Sequence, residues 1–356
     1  MEVKVYDRPN IMVETMELVS SWLNQVNPKN MTASGSYCIP ATEIKRMMNE
    51  VCYDLDPEDA QLRFYFQGLP GDDPNAEKRP IACVAGLVIR SQLHGMVCAL
   101  EEYRQHLHNG IMSGAYPRII TFTGSGVGIS CRDNYSSIAD GLIDLNMSDL
   151  LKLRLVETMA NYHHHVDVLC NLLEPLARRF EPLLESWIEK MQPKVQQWRE
   201  ELSTQEGVDT FCARLNTNLD GLECIYMTMC MLYPHIGGGS FSHEEKNLRC
   251  AVGLTMPAGI EKRQEILDLD MAGLRLLSGK DRVEMLRAMS GRSMSQKEVT
   301  KELGINSGTV FRDLSSLTAA HLLSLTVKGD NRTYTTNMEY LERLTERLLE
   351  YIRQGR

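Results

Sequence analysis

Residues 295–314 read SQKEVTKELGINSGTVFRDL, and this stretch decides how the rest of the chain is read. Ser295 stands three residues ahead of Glu298, the spacing at which each side chain can satisfy a free backbone N–H of the other at a helix start. A helix is therefore predicted from Gln296. Val299 and Leu303, four apart, share one of its faces, and Gly304 can take the left-handed conformation that ends it. Ile305 supplies an apolar plug between two crossing helices. Asn306 or Ser307 can cap a second helix, in which Val310, Leu314 and Leu317 recur at spacings of four and three and make one buried face. The opposite face carries Ser307, Thr309, Arg312 and Ser316.

Two β-prone runs follow, residues 322–327 (LLSLTV) and 333–336 (TYTT), separated by Lys328-Gly-Asp-Asn-Arg332. They predict a hairpin with Lys328 and Arg332 at its tip. Helix, glycine turn, helix and basic hairpin in this order read as a winged helix-turn-helix. In that motif the second helix presents its N-terminal residues to base edges in the DNA major groove. Arg312 is then the residue suited to guanine, because its planar fork can bond O6 and N7 together. Ser307 and Thr309 suit phosphate anchoring at a helix N-terminus, with Ser316 farther along the same face. Lys328 and Arg332 would lie along the phosphate backbone.

The segment LSGKDRVEMLRAMSGRSMSQKEVTKELGINSGTVFRDLSSLTAAHLLSLTVKGDNRTYTTN, residues 277–337, resembles the winged-helix domain of the arsenic-repressor (ArsR) family of bacterial transcription regulators. The matching features are Asp281-Arg282 leading into Met285-Leu286, the Gly304 turn, the start Thr309-Val-Phe-Arg312, and a wing ending in Arg332-Thr-Tyr334. The resemblance covers about a quarter of the chain. It implies double-stranded operator DNA as partner and a homodimer built from the helices flanking the winged helix, here residues 267–277 and 338–352, the latter with Leu341, Leu344, Leu348 and Ile352 in an apolar stripe. Two departures stand out. The cysteine pair of the metal-sensing members is absent from residues 298–302, so the resemblance is to a DNA reader. Asp313 replaces the usual His beside the Arg, either to accept from a cytosine amino group or, the expected case, as an exposed acid serving solubility.

Charge divides along the same line. Residues 270–356 hold 14 Lys and Arg against 11 Asp and Glu, a net of +3; of the chain's 38 and 47, that leaves 24 against 36, or −12, for residues 1–269. An acidic body with a mildly basic end confines DNA contact to that end. The chain has 356 residues, enough for two or more domains. The expected fold class is mainly α with small β elements: a mostly helical effector or dimerisation domain over residues 1–262, then a winged helix-turn-helix over residues 263–356.

Within the first domain, helices are expected at residues 11–26, 40–53, 56–68 and 82–107, with a loop at 69–80. Residues 151–202 are nearly all helix, with an apolar stripe from Leu169 to Trp198 that predicts a core element in preference to a dimer seam. Pro175, Pro182 and Pro193 predict kinks or restarts within it. Residues 237–242 (GGGSFS) read as a flexible loop, residues 247–255 as a strand and residues 260–277 as a linking helix.

Nothing points to catalysis. The adjacent pairs Glu101-Glu102, Glu200-Glu201 and Glu244-Glu245 point apart on a helix, so no acid–base couple forms. Gly124-Ser-Gly126-Val-Gly128 has the spacing GxGxG, not GxGxxG, and reads as a turn. His163, Asp167 and Cys170 share a helical face and could supply part of a metal site, but a solvated polar patch with Cys170 turned inward is the expected arrangement. Ten cysteines occur without a CxxC pair, so neither a structural zinc nor a cofactor is expected. The longest apolar runs, residues 81–89 and 224–233, fall well short of the ~20 residues of a membrane span. With no apolar signal core at the N-terminus, a cytoplasmic protein with reduced thiols is expected, with a small molecule as the candidate effector. The other function class left open is a ligand-binding or enzymatic helical protein whose winged helix mediates protein contacts.

Overall fold

A computed structural model describes residues 1–68, 83–112, 149–214, 222–242, 246–256, 268–328 and 331–354. The chain is mainly helical, with a few short strands in two sheets. It divides into two compact units. The first takes in the described residues up to Ser203 together with Leu222–Met256, and the second Thr204–Arg214 and the described residues from Asp268 onward. The expected division between residues 262 and 263 falls outside the described residues, as do the 69–80 loop and the Gly124–Gly128 turn.

In the first unit, strand β1 (Glu2–Val5) leads into helix α1 (Ile11–Leu23), followed by α2 (Ala41–Val51), α3 (Ala60–Phe66), α4 (Val84–Leu93), α5 (Leu100–Met112), α6 (Asp149–Ala160) and α7 (Tyr162–Glu201). Strands β2 (Cys224–Cys230), β3 (Gly237–Ser242) and β4 (Asn247–Gly253) complete a sheet of order β1-β2-β4-β3, in which only β3 runs antiparallel to its neighbour. Helix α1 packs against α4 and α7 and is buried from Ile11 to Ser21. Its polar side chains survive burial because each has a partner. Glu14 accepts from the backbone N–H of Met231 and Leu232, both at 2.8 Å. Glu17 pairs with Arg90, and the Ser21 hydroxyl meets that of Tyr233 at 2.9 Å.

Three expectations are corrected here. The segment 237–242 is not a loop but edge strand β3, and its glycines are there for close approach. A Cβ on Gly237 would sit 2.7 Å from Met256 Sδ, one on Gly238 3.3 Å from the His94 ring, and one on Gly239 3.0 Å from the Arg249 carbonyl. The single helix expected over residues 82–107 is two, α4 and α5, broken at Gly95. This residue has a φ of +62°, and a Cβ there would lie 2.3 Å from the Tyr226 carbonyl. Finally, of the kinks or restarts expected at its three prolines, α7 has no restart. Pro175, Pro182 and Pro193 are exposed, as are Asn171, Arg178 and Glu189, whose carbonyls lose their helical partners. Those carbonyls can bond water, so no restart is forced. The stripe from Leu169 to Trp198 is buried within the chain, as a core element should be.

The second unit holds α8 (Gln205–Arg214), α9 (Asp268–Leu276), α10 (Lys280–Ala288), α11 (Gln296–Leu303), α12 (Ser307–Ala319), β5 (Leu323–Lys328), β6 (Asn331–Thr336) and α13 (Met338–Gln354). Met285, Met289, Val299, Val310, Leu314, Leu317, Leu323, Tyr334 and Leu344 build its core. The β5–β6 hairpin is fastened to α10, since Thr336 donates from its amide to the Met289 carbonyl at 3.1 Å and from its hydroxyl to the Leu286 carbonyl at 2.6 Å. Asp270, 1% exposed, ties α9 to α13 by accepting from Arg347 at 2.6 Å and from the Tyr340 hydroxyl at 3.1 Å. Among the described residues, no helix is long and apolar enough to cross a membrane.

Candidate nucleic-acid interface

The local chemistry that starts and stops α11 and α12 fixes the geometry between them. Ser295 and Glu298 form a complete capping box: the Glu298 amide donates to Ser295 Oγ at 3.4 Å and the Ser295 amide to Glu298 Oε2 at 2.7 Å. These bonds hold the Glu298 carboxyl below its ordinary range. Gly304 ends α11 with a φ of +66°, Ile305 packs against the core, and Asn306 caps α12 by accepting from the Gly308 amide at 2.9 Å. One face of α12 is then fully committed, with Val310, Leu314 and Leu317 each at most 1% exposed.

On the opposite face Ser307 and Arg312 are exposed and Thr309 is half-buried. Gln296, at the start of α11, donates to the carbonyl and hydroxyl of Ser307 at 3.2 and 3.1 Å and so fixes the beginning of α12. Among the described residues, the Arg312 guanidinium has one hydrogen-bond partner, the Thr309 hydroxyl at 3.5 Å. Ser316 differs from the other three. It is half-buried and its hydroxyl donates to the Arg312 carbonyl at 2.9 Å, so its proton is already engaged within the helix. The expectation for Asp313 is also corrected. Its carboxylate is only 13% exposed and pairs with Arg282 Nε of α10 at 2.9 Å, which makes it a brace between helices instead of a solubilising acid.

At the hairpin, Lys328 pairs in register with Asn331, and Val327 with Arg332. Side chains alternate across a strand, so positions 328 and 332 fall on opposite faces of the ribbon. Position 332 continues the row of Tyr334 and Thr336, both buried, and position 328 the row of Thr326 and Ser324. The two basic residues expected at the tip thus hold positions on opposite faces of it.

The partial metal set on α7 also resolves differently. Cys170 faces the core, where burial pushes its thiol up to about 12. His163 and Asp167 instead meet His108 of α5, whose Nδ1 lies 2.8 Å from His163 Nδ1 and whose Nε2 lies 3.0 Å from Asp167 Oδ1. Cys170 is therefore turned inward as expected, while the other two belong to a polar contact between helices. Sequence reasoning gave no role to Gln296 and used Arg282 only as part of a motif. Neither has a local signal of its function, since Gln296 acts across eleven residues and Arg282 across thirty-one.

Comparison with family models, curated proteins and solved structures finds no match to the chain.

Proposed function

We propose that the chain is a transcriptional regulator that binds double-stranded operator DNA as a homodimer. Residues 263–356 serve as a winged helix-turn-helix, and residues 1–262 as scaffold or effector sensor. The observation that carries this reading is the two-faced α12: apolar residues sunk in the core on one side and, on the other, Ser307, Thr309 and the exposed Arg312 within the first two turns. That is the part of a recognition helix that meets the major groove.

In this reading Arg312 bonds guanine O6 and N7, and the Thr309 hydroxyl limits the swing of its guanidinium beforehand. Ser307 and the free N–H groups at the start of α12 anchor a phosphate. Ser316 contributes only as an acceptor, its proton being spent. Lys328 and Arg332 contact backbone from opposite faces of the wing. For the dimer, the support comes from α13. Leu341 and Leu344 of its stripe pack into their own unit's core, but Leu349, Tyr351 and Ile352 are 46%, 54% and 60% exposed near its end. Two copies joined there would present two recognition helices to a palindrome. A small molecule bound by the acidic first domain would act by favouring one spacing of those helices, a population shift. Such a protein works in the cytoplasm, with its cysteines reduced.

The test is fluorescence anisotropy of the purified protein on its own upstream intergenic DNA and on a scrambled duplex, across a salt series and with Arg312→Ala. Tight binding to the first duplex alone, weakened steeply by salt and lost in the variant, is the expected result. Equal weak binding to both duplexes, indifferent to the variant, would overturn the proposal.

A further inference from the structure

One cluster of metal-ligating side chains lies outside everything the DNA-binding reading uses. Cys98 stands at the entrance to α5, and Glu102 and His106 follow it at steps of four on one side of that helix. A ligand atom from each lies within 4.8 Å of the other two. We propose that Cys98, Glu102 and His106 form a binding site for a divalent transition metal of the zinc class, with the remaining coordination position open to water or an external ligand.

The donor set selects the ion. Sulfur, oxygen and nitrogen together suit zinc or cobalt(II), whereas magnesium and calcium take oxygen alone. Glu102 and His106, four apart on the helix, are neighbours, and Cys98 joins them from just ahead of its first residue. The loop leading to Cys98 is also rigid by construction. Asn10 Nδ2 donates to the carbonyls of Leu93 and Met96, both at 2.9 Å, and the left-handed Gly95 lies against the sheet backbone. The buried Tyr103 hydroxyl accepts from the Cys98 amide at 3.4 Å. Sites held in place by such contacts lose little freedom on binding.

Access agrees with this assignment. Glu102 and His106 are exposed and Cys98 half-buried, so an ion can reach all three from solvent. Glu102 uses Oε2 to accept from the Ala99 amide at 3.2 Å, which orients the carboxylate. Binding breaks the S–H bond of Cys98, forms the sulfur–metal bond and releases one proton to solvent. The cluster is distinct from the histidines described above, since His108, two residues on, turns toward α7.

The full chain, reduced and freed of metal, should be titrated with cobalt(II) and followed by absorption. One equivalent is expected to raise a thiolate-to-cobalt charge-transfer band in the near ultraviolet, which zinc then abolishes. Nine other cysteines are present, so the variants decide the assignment. Cys98→Ser should remove the band, and Glu102→Gln and His106→Asn should each weaken cobalt binding by about tenfold or more. Both of the latter side chains are exposed, so these two variants carry the test if Cys98→Ser does not fold. No band in the parent chain, a band that survives Cys98→Ser, or affinities unchanged in the other two variants would overturn the proposal.

Discussion

Arg312 owes its readiness to what surrounds it. Its helix is pinned at the start by Asn306 and Gln296, its neighbour Asp313 is held by Arg282, and its own guanidinium meets only a hydroxyl among the described residues. Replacing Arg312 with Ala should cost about 1–3 kcal/mol of operator binding and relax preference at one base pair, measured by anisotropy on a set of single-base variants. Asp313→Asn should behave differently. It should lower the stability of the second unit by about 1 kcal/mol, read from urea unfolding, and leave base preference unchanged; altered preference at a cytosine would restore the role of a base contact. In the first unit, burial raises the Glu14 carboxyl to about 8 against the pull of the Met231 and Leu232 amides, while burial beside Arg90 lowers His94 to about 4. A raised carboxyl gives stability that is full below its unfolded value of 4.5 and lost as pH rises toward 8; a depressed His gives stability that is full above 6.5 and lost as pH falls toward 4. The two slopes oppose each other between pH 4.5 and 6.5, and only that of Glu14 remains above. Stability should therefore fall from pH 6.5 to 8, and Glu14→Gln, though less stable at pH 6 for want of one acceptor, should flatten that fall. A slope unchanged in the variant would assign it to another group.

Among the elements, α7 states most clearly how a propensity rule depends on position. Each proline removes a hydrogen bond and presses its ring on the preceding turn, a cost of about 3 kcal/mol in a helix interior. The helix persists because its buried stripe, from Tyr162 to Trp198, gains more from packing than the three defects cost. Pro182→Ala should consequently raise the melting temperature of the first unit, whereas Leu173→Ala should lower its stability by about 2–5 kcal/mol. A lower melting temperature for Pro182→Ala would mean that the proline bend itself is needed for packing. Glycine carries the same lesson in β3, where a residue that weakens strands in general is admitted because Met256, His94 and Cys250 occupy the space of the missing side chains.

For the molecule as a whole, the basic excess is confined to the residues from 270 onward, and the rest of the chain is acidic. Binding driven by a few cations of the second unit should show a salt slope proportional to those contacts, and Lys328→Ala and Arg332→Ala should each reduce it by about one. The exposed end of α13 makes the proposed dimer testable independently of DNA. Leu349→Glu combined with Ile352→Glu should shift the protein to monomer in sedimentation equilibrium and weaken operator binding, without unfolding the chain, because neither side chain is in the core. A monomeric parent chain, or sedimentation unchanged in the variant, would overturn a dimer built on α13.

By itself, the sequence determined what depends on near neighbours: the capping box of α11, the left-handed Gly304, the buried row Val310, Leu314 and Leu317, and the helical course of residues 151–202. These follow from contacts three or four residues apart, whose periodicity can be read along one chain. Only the tertiary structure decided that Gly237–Ser242 is a strand, that Asp313 braces α10, that positions 328 and 332 lie on opposite faces, and that His163 meets His108. It also brought Cys98, Glu102 and His106 together at the start of α5. The reason is the same throughout. Partners tens to hundreds of residues away leave no local pattern, and the space a glycine spares or the charge an arginine offers acquires meaning only when the chain has brought something there.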